Sequence, residues 1–294
     1  MIGALRPSRL SAGKVGLLLA AMACSTLAAG LARASERGER VKSGTQLLFV
    51  GNSIIYTNNL PEVTEAISGG AIQADMFVSP GATLSELIED KRLERLLASR
   101  RYAAVVVQER GGSVLCLYGI RDSASEGCRE LESAHLEISG IARSAGTKVV
   151  YLGTYQSLPA ASSALVVIER QLSERMNARY AQVSERLQAL RQIRPELPWL
   201  QEDGVHPGMA TTALMATAVY VAMTGERPTD GQLCITPSAF RPSREAAVLA
   251  LHRAPAANAP QECPLDASAM REIGALTLPD AKFASTISEG NANE

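Results

Sequence analysis

Four short apolar runs, spaced out between helical stretches, constrain this chain more than any other feature. They are Leu47-Leu48-Phe49-Val50, residues 71–78, residues 103–107 and Val149-Val150-Tyr151-Leu152. Each is too brief for a core helix. The first, third and fourth lack the polar alternation of a strand with one wet face, so such strands need apolar cover on both sides. The stretches between them carry helical periodicity: residues 59–69, 84–97, 130–145, 163–194 and 209–223. Thr83 can cap the second of these, with Glu86 three residues on. Gly146 and Gly225 stop the third and the last, and Pro195 and Pro198 interrupt the fourth.

Strand and helix in alternation predict an α/β chain with a three-layer α/β/α sandwich, flavodoxin-like, around a four- or five-stranded parallel sheet. Ligands of such sheets bind outside the carboxyl ends of the strands. The residues that follow each strand are therefore the first candidates for chemistry.

The ends of the chain read differently. Arg6, Arg9 and Lys14 precede an apolar stretch from Val15, and Ala32-Arg33-Ala34 has the form of a cleavage site. Residues 1–34 are read as a secretory signal, with a membrane anchor or a lipoprotein modified at Cys24 as the alternatives. Residues 35–45 form a flexible mature N-terminus, 46–228 the main domain, and 229–294 an extension whose last ten residues are disordered. Of 29 basic and 30 acidic residues, four basic ones lie in the signal, which leaves 25 against 30, a net of −5. That balance gives no electrostatic footprint for nucleic acid or anionic membrane, and no stable membrane insertion is expected after cleavage. Removal of Cys24 leaves Cys116, Cys128, Cys234 and Cys263. In an exported chain an even set indicates disulfides, and proximity in sequence favours Cys116–Cys128 and Cys234–Cys263 among three connectivities. No C-x-x-C pair points to zinc.

Ser53 follows the first strand directly, in Val50-Gly51-Asn52-Ser53. On position alone a helix-capping serine is the simpler reading. Asp203-Gly204-Val205-His206-Pro207 changes this, because a nucleophilic serine needs a base, and the base needs a carboxylate to orient it. Asp203 and His206, three apart on one Gly/Pro-framed loop, supply both. Of the other histidines, His135 falls within a predicted helix and His252 in the tail. Asn52 shapes the turn after Gly51. Tyr155 and Trp199 are read as partly buried core residues rather than pocket walls.

These blocks, in this order, resemble the SGNH (GDSL-type) hydrolase superfamily over roughly residues 46–225. Leu48-Phe49-Val50-Gly51-Asn52-Ser53, continued by Asn58-Asn59-Leu60-Pro61, is similar to its first block in the variant with Gly-Asn-Ser. Asp203 to His206 is similar to its terminal D-x-x-H block. The resemblance implies a Ser53-His206-Asp203 triad, an oxyanion hole formed by the N–H groups of Ser53 and Gly81, and no metal or organic cofactor. The third block departs from the pattern. The usual Gly-x-Asn-Asp is replaced by Gln108-Glu109 in Val107-Gln108-Glu109-Arg110-Gly111-Gly112. Gln108 carries the same carboxamide on a longer stem and is assigned as the third oxyanion donor. Glu109, with Asn52, is a candidate for substrate binding, or else a loop carboxylate paired with a nearby arginine. The function implied is an exported serine esterase acting on a small-molecule or glycan ester, with O-deacetylation of envelope carbohydrate preferred. A catalytically weak or inactive binding module of the cell envelope is the alternative.

Overall fold

The computed structural model describes residues 43–99, 101–119, 125–236, 240, 242, 246–253 and 258–277. The expected signal, Cys24 and the last ten residues lie outside them. In chain order the elements are β1 (Thr45–Gly51), α1 (Ser53–Tyr56), α2 (Leu60–Ile67), β2 (Ile72–Val78), α3 (Leu84–Ile88), α4 (Lys91–Ala98) and β3 (Ala104–Val107). A 3-10 segment (Ser113–Tyr118) precedes α5 (Glu126–Ser144), β4 (Lys148–Leu152), α6 (Pro159–Arg175), β5 (Arg179–Ala181) and α7 (Ser184–Ile193). Next come α8 (Met209–Thr224), β6 (Leu233–Ile235), β7 (Val248–Ala250), β8 (Glu262–Leu265) and α9 (Ala267–Thr277).

The main sheet runs β5-β4-β3-β1-β2-β7. Strands β1 to β5 are mutually parallel, in the 2-1-3-4-5 order of a flavodoxin-like fold, and β7 adds an antiparallel edge beside β2. Period-two alternation then sorts each strand onto two cores. Leu47, Phe49, Ala104, Val106, Val150 and Leu152 face a layer that includes α2, α7, α8 and α9. Leu48, Val50, Val105, Val107, Val149 and Tyr151 face the layer of α3 to α6. The central strands are buried on both sides, which is why they read as continuous apolar runs.

Three boundaries differ from the sequence reading. The stretch over 84–97 is two helices, because Asp90 leaves the helical region (ψ 110°) and its side chain caps Arg92 N–H to start α4. The long helical region over 163–194 is broken by Asn177 in the left-handed conformation (φ 50°), after which three residues pair with β4 as β5. A three-residue strand is shorter than any period that could announce it. The tail, finally, supplies β7, the β6–β8 ribbon and α9. The disulfides Cys116–Cys128 and Cys234–Cys263 are formed; the second links β6 to β8. Among the described residues no helix is long and apolar enough to cross a membrane.

Candidate active site

Strand register brings the candidate residues to one edge. Gly51 pairs with Val78 and Val50 with Val107, so β1, β2 and β3 end level and release Ser53, the 79–83 loop and Gln108 side by side. Asn52 caps α1: its Oδ1 accepts the Ile54 N–H at 3.1 Å, and its Nδ2 donates to Ala82 O at 3.1 Å. Ser79 N–H also donates to Gly51 O at 3.2 Å. One buried carboxamide thus sets the Ser53 turn and ties it to the loop carrying Gly81. Among the described residues, the Ser53 and Gly81 N–H groups have no hydrogen-bond partner in the protein.

The Asp203–His206 loop comes from the far end of the chain. A short antiparallel bridge between Leu200 and Pro207 closes it at the base, with Gln201 N–H donating to His206 O at 2.9 Å and Gly208 N–H to Trp199 O at 2.8 Å. Gly208 is needed for this approach, since a Cβ there would lie 2.1 Å from Pro198 O. Gly204 takes a positive φ of 67° at the loop tip. Asp203 Oδ1 accepts the N–H groups of Val205 and His206, both at 2.9 Å, which leaves Oδ2 for His206 Nδ1 at 2.5 Å. His206 Nε2 lies 3.0 Å from Ser53 Oγ. The hydrogen bond from His206, with the two backbone N–H groups behind it, holds the Asp203 carboxyl down at about 2. Asp203 is therefore anionic at neutral pH.

Two residues with no sequence-assigned role hold this arrangement. Asn58 Nδ2 donates to Pro207 O at 2.7 Å and to Thr212 Oγ1 at 2.9 Å, while its Oδ1 accepts from Gln201 Nε2 at 3.4 Å. It clamps the segment after Ser53 to the segment after His206. Its only signal in the sequence is its place in the Asn58-Asn59-Leu60-Pro61 continuation of the first block. Tyr155, partly buried as expected, donates its hydroxyl to Val205 O at 2.8 Å. Burial, and then the Asp203 charge, raise its pKa, so it stays a donor. Trp199 is buried, with Nε1 on Arg194 O at 2.7 Å.

The third block behaves differently from expectation. Gln108 continues the alternation of Ala104 and Val106, so its side chain passes under α8 and is wholly buried. Its Nε2 donates to Gly153 O at 3.1 Å and approaches Met215 Sδ at 3.6 Å. The amide is engaged inside the core, and the assignment of Gln108 as an oxyanion donor is corrected accordingly. Glu109 falls on the opposite face and is equally buried. It accepts from Leu84 N–H at 3.1 Å and Arg110 N–H at 2.8 Å, with His135 Nε2 at 3.9 Å. Enclosure rules it out as a substrate contact in this structure, and its arginine partner is a backbone N–H, not a guanidinium. Asn52, 1% exposed, likewise organises the turn rather than meeting substrate. Among the described residues no cluster of His, Cys, Asp or Glu is arranged to hold a metal ion.

No family model matches the chain, and no curated protein matches it. Similar solved structures include a candidate SGNH hydrolase from Slackia heliotrinireducens, 19% identical with a TM-score of 0.49, covering 62% of this chain and 100% of that one. An acetylxylan esterase from Geobacillus stearothermophilus, solved as a catalytic mutant, is 15% identical with a TM-score of 0.46, covering 62% of this chain and 95% of that one. A DUF4886 family protein from Bacteroides uniformis is 16% identical with a TM-score of 0.46, covering 63% and 85%. At these identities and TM-scores below 0.5 the likenesses carry no argument, and the functional reading stands on the chain's own geometry.

Proposed function

We propose that this chain is an exported serine esterase of the SGNH type, with Ser53 as nucleophile, His206 as base and Asp203 as its orienting carboxylate. The observation that carries the reading is the unbroken relay from Ser53 Oγ to His206 Nε2 at 3.0 Å and from His206 Nδ1 to Asp203 Oδ2 at 2.5 Å. A capping serine beside a solvated histidine needs no such alignment.

His206 takes the Ser53 proton as Oγ attacks the ester carbonyl. The N–H groups of Ser53 and Gly81, which spend no hydrogen bond on the protein, receive the developing oxyanion. His206 then gives its proton to the leaving alcohol, and the acyl-enzyme forms. Water repeats the cycle: His206 accepts its proton as the water oxygen attacks the acyl carbonyl, then returns that proton to Ser53 Oγ as the Oγ–acyl bond breaks and the acid is released. Asp203 holds the imidazole in the tautomer with Nδ1 protonated throughout. With Gln108 engaged in the core, the oxyanion hole has two backbone donors.

For the substrate we propose a carbohydrate O-acetyl ester. The site is open: the His206 side chain is 34% exposed and Asp203 47%. An open rim admits a bulky alcohol component next to a small acyl group. Export is supported by the N-terminal pattern and the two disulfides, which persist in oxidising compartments. Within the mature chain, residues 46–228 are read as the hydrolase domain and 229–294 as an extension of it, which adds the β7 edge to its sheet.

A fluorophosphonate probe tests the chemistry. The wild type should be labelled at Ser53, with labelling lost in His206→Ala, and an acyl-chain series should show turnover fastest for acetyl. Retention of short-ester hydrolysis by Ser53→Ala would contradict the assignment. A folded wild type that takes no label would favour the binding module instead.

A further inference from the structure

Glu109 is an expensive residue to enclose. It is wholly buried, and an isolated carboxylate in such a place costs several kcal/mol of solvation. The groups that face it are few. His135 of α5 comes within 3.9 Å, and the charge of Glu86 on α3, the Tyr151 ring on β4 and the Arg110 guanidinium complete its electrostatic surroundings. His135 is itself enclosed, and burial pushes its imidazole down to about 4, so it offers no cation in return.

What Glu109 does hold is backbone. Leu84 N–H, at the first turn of α3, is one of the donors that no helix can satisfy internally. The Thr83–Glu86 capping box satisfies its neighbours: Thr83 N–H reaches Glu86 Oε2 at 2.7 Å and Glu86 N–H reaches Thr83 Oγ1 at 3.3 Å. Leu84 N–H goes to Glu109 Oε2, while Glu109 Oε1 takes Arg110 N–H. Arg110 then reaches back across the outside, with Nη1 3.4 Å from Gly81 O. The 79–84 loop is thus held at Ser79 by Gly51, at Ala82 by Asn52 and at Leu84 by Glu109. The first two tethers come from the end of β1 and the turn that leads into Ser53. The third, like the Arg110 contact with Gly81 O, comes from the segment that follows β3, and it fixes the end of the loop that leads into α3.

We infer that Glu109 is a positioning residue: its Oε2, held in place by the Arg110 N–H on Oε1, locks the loop carrying Gly81 through Leu84 N–H at the height where the Gly81 N–H meets the oxyanion formed on Ser53. The inference rests on the hydrolase reading for its kinetic consequence but not for its structural one. A carboxylate suits the task because both its oxygens accept. A glutamine would turn an N–H₂ group toward one of the two N–H donors.

The test is Glu109→Gln in the full exported chain. Turnover on an acetyl ester should fall about 10-fold to 100-fold, somewhat less than the full removal of a donor costs, with KM changed less than about twofold. Affinity for phenylboronic acid, which forms a tetrahedral anion on Ser53, should fall by the same factor as turnover. Amide hydrogen exchange of residues 81–84 should speed up about tenfold, as expected for the loss of one hydrogen bond. Turnover and boronate affinity kept at wild-type levels, with only a lower Tm, would overturn the inference. So would unchanged exchange at 81–84. Exchange decides the structural claim even if Ser53 of the wild type proves unreactive, which would count against the hydrolase reading alone. Should the variant not fold, the wild type serves. Burial pushes Glu109 up to about 7, so protection of Leu84 N–H, corrected for intrinsic rates, should weaken as pH falls through that value. A flat protection profile would be the refuting result.

Discussion

Replacing Asn58 by alanine removes the clamp between the two halves of the relay. Two short bonds are lost, to Pro207 O at 2.7 Å and Thr212 Oγ1 at 2.9 Å, and a longer one from Gln201 at 3.4 Å. Thr212 keeps its bond to Gly208 O at 3.1 Å, so its hydroxyl is not stranded. Pro207 O is less fortunate: its residue is buried, and no other donor reaches it among the described residues. Two net hydrogen bonds at about 0.5–1.5 kcal/mol each, with one acceptor left dry, place the loss at about 2–3 kcal/mol. For a domain of this size that is a fall in Tm of roughly 4–12 °C. The kinetic effect follows from geometry. Pro207 directly follows His206, and a freed Pro207 carbonyl lets the imbalance pass to the imidazole. A displacement near 1 Å costs about 10²-fold in rate, so kcat on an acetyl ester should fall at least about tenfold with KM nearly unchanged. Thermal unfolding followed by circular dichroism and steady-state hydrolysis well below the Tm separate the two effects. A variant that loses stability as stated but keeps kcat within about twofold would show that Asn58 supports the fold without positioning His206.

Gly208→Ala should destabilise the chain by about 3 kcal/mol or more, because the new Cβ meets Pro198 O at 2.1 Å and Pro198 C at 2.7 Å, both backbone atoms that cannot swing aside. A denaturant midpoint equal to that of the wild type would exclude this. Glu169 offers a pH test. It is wholly buried, and burial pushes its carboxyl from 4.5 up to about 7 despite the bonds it accepts from Thr154 and Tyr180. A carboxyl raised in the folded state is protonated there before it is in the unfolded chain. Its stabilising contribution is present below about pH 4.5 and is lost as pH rises through about 7, up to about 3 kcal/mol. Glu169→Gln cannot titrate, so its Tm relative to wild type should improve between about pH 5 and pH 8, and the difference cancels the opposing titration of His135. A Tm difference independent of pH would refute the account.

Much of the molecule is legible in the chain itself. Unbroken apolar runs at β1, β3 and β4 demand cover on both faces, so the three-layer architecture follows from hydrophobicity alone. The candidate triad was also legible, because its chemistry depends on residue type and local spacing. Asp203 and His206 are three residues apart, and the tight turn that joins them is encoded locally by Gly204 and Pro207. The disulfides followed from count and proximity. β5 and β7 were not legible: three-residue strands owe their existence to an edge of sheet waiting to be paired, not to any pattern of their own.

Gln108 and Glu109 mark the boundary most clearly. Their parity is written in the chain, since Gln108 continues the side of Ala104 and Val106, and Glu109 the side of Val105 and Val107. Parity alone says that the two side chains point to opposite faces. Which face carries α8 and which carries α5, and which N–H groups lie within 3.1 Å, depends on how distant segments pack. The sequence by itself determined the layered fold, the serine at a strand end and the Asp–His pair on one loop, because those rest on local pattern and chemistry. Tertiary structure alone decided that Ser53 and His206, 153 residues apart, meet at 3.0 Å, that Asn58 holds them there, and that Gln108 turns into the core. A contact between remote segments is set by the packing of every layer between them, and no local stretch of residues carries that information.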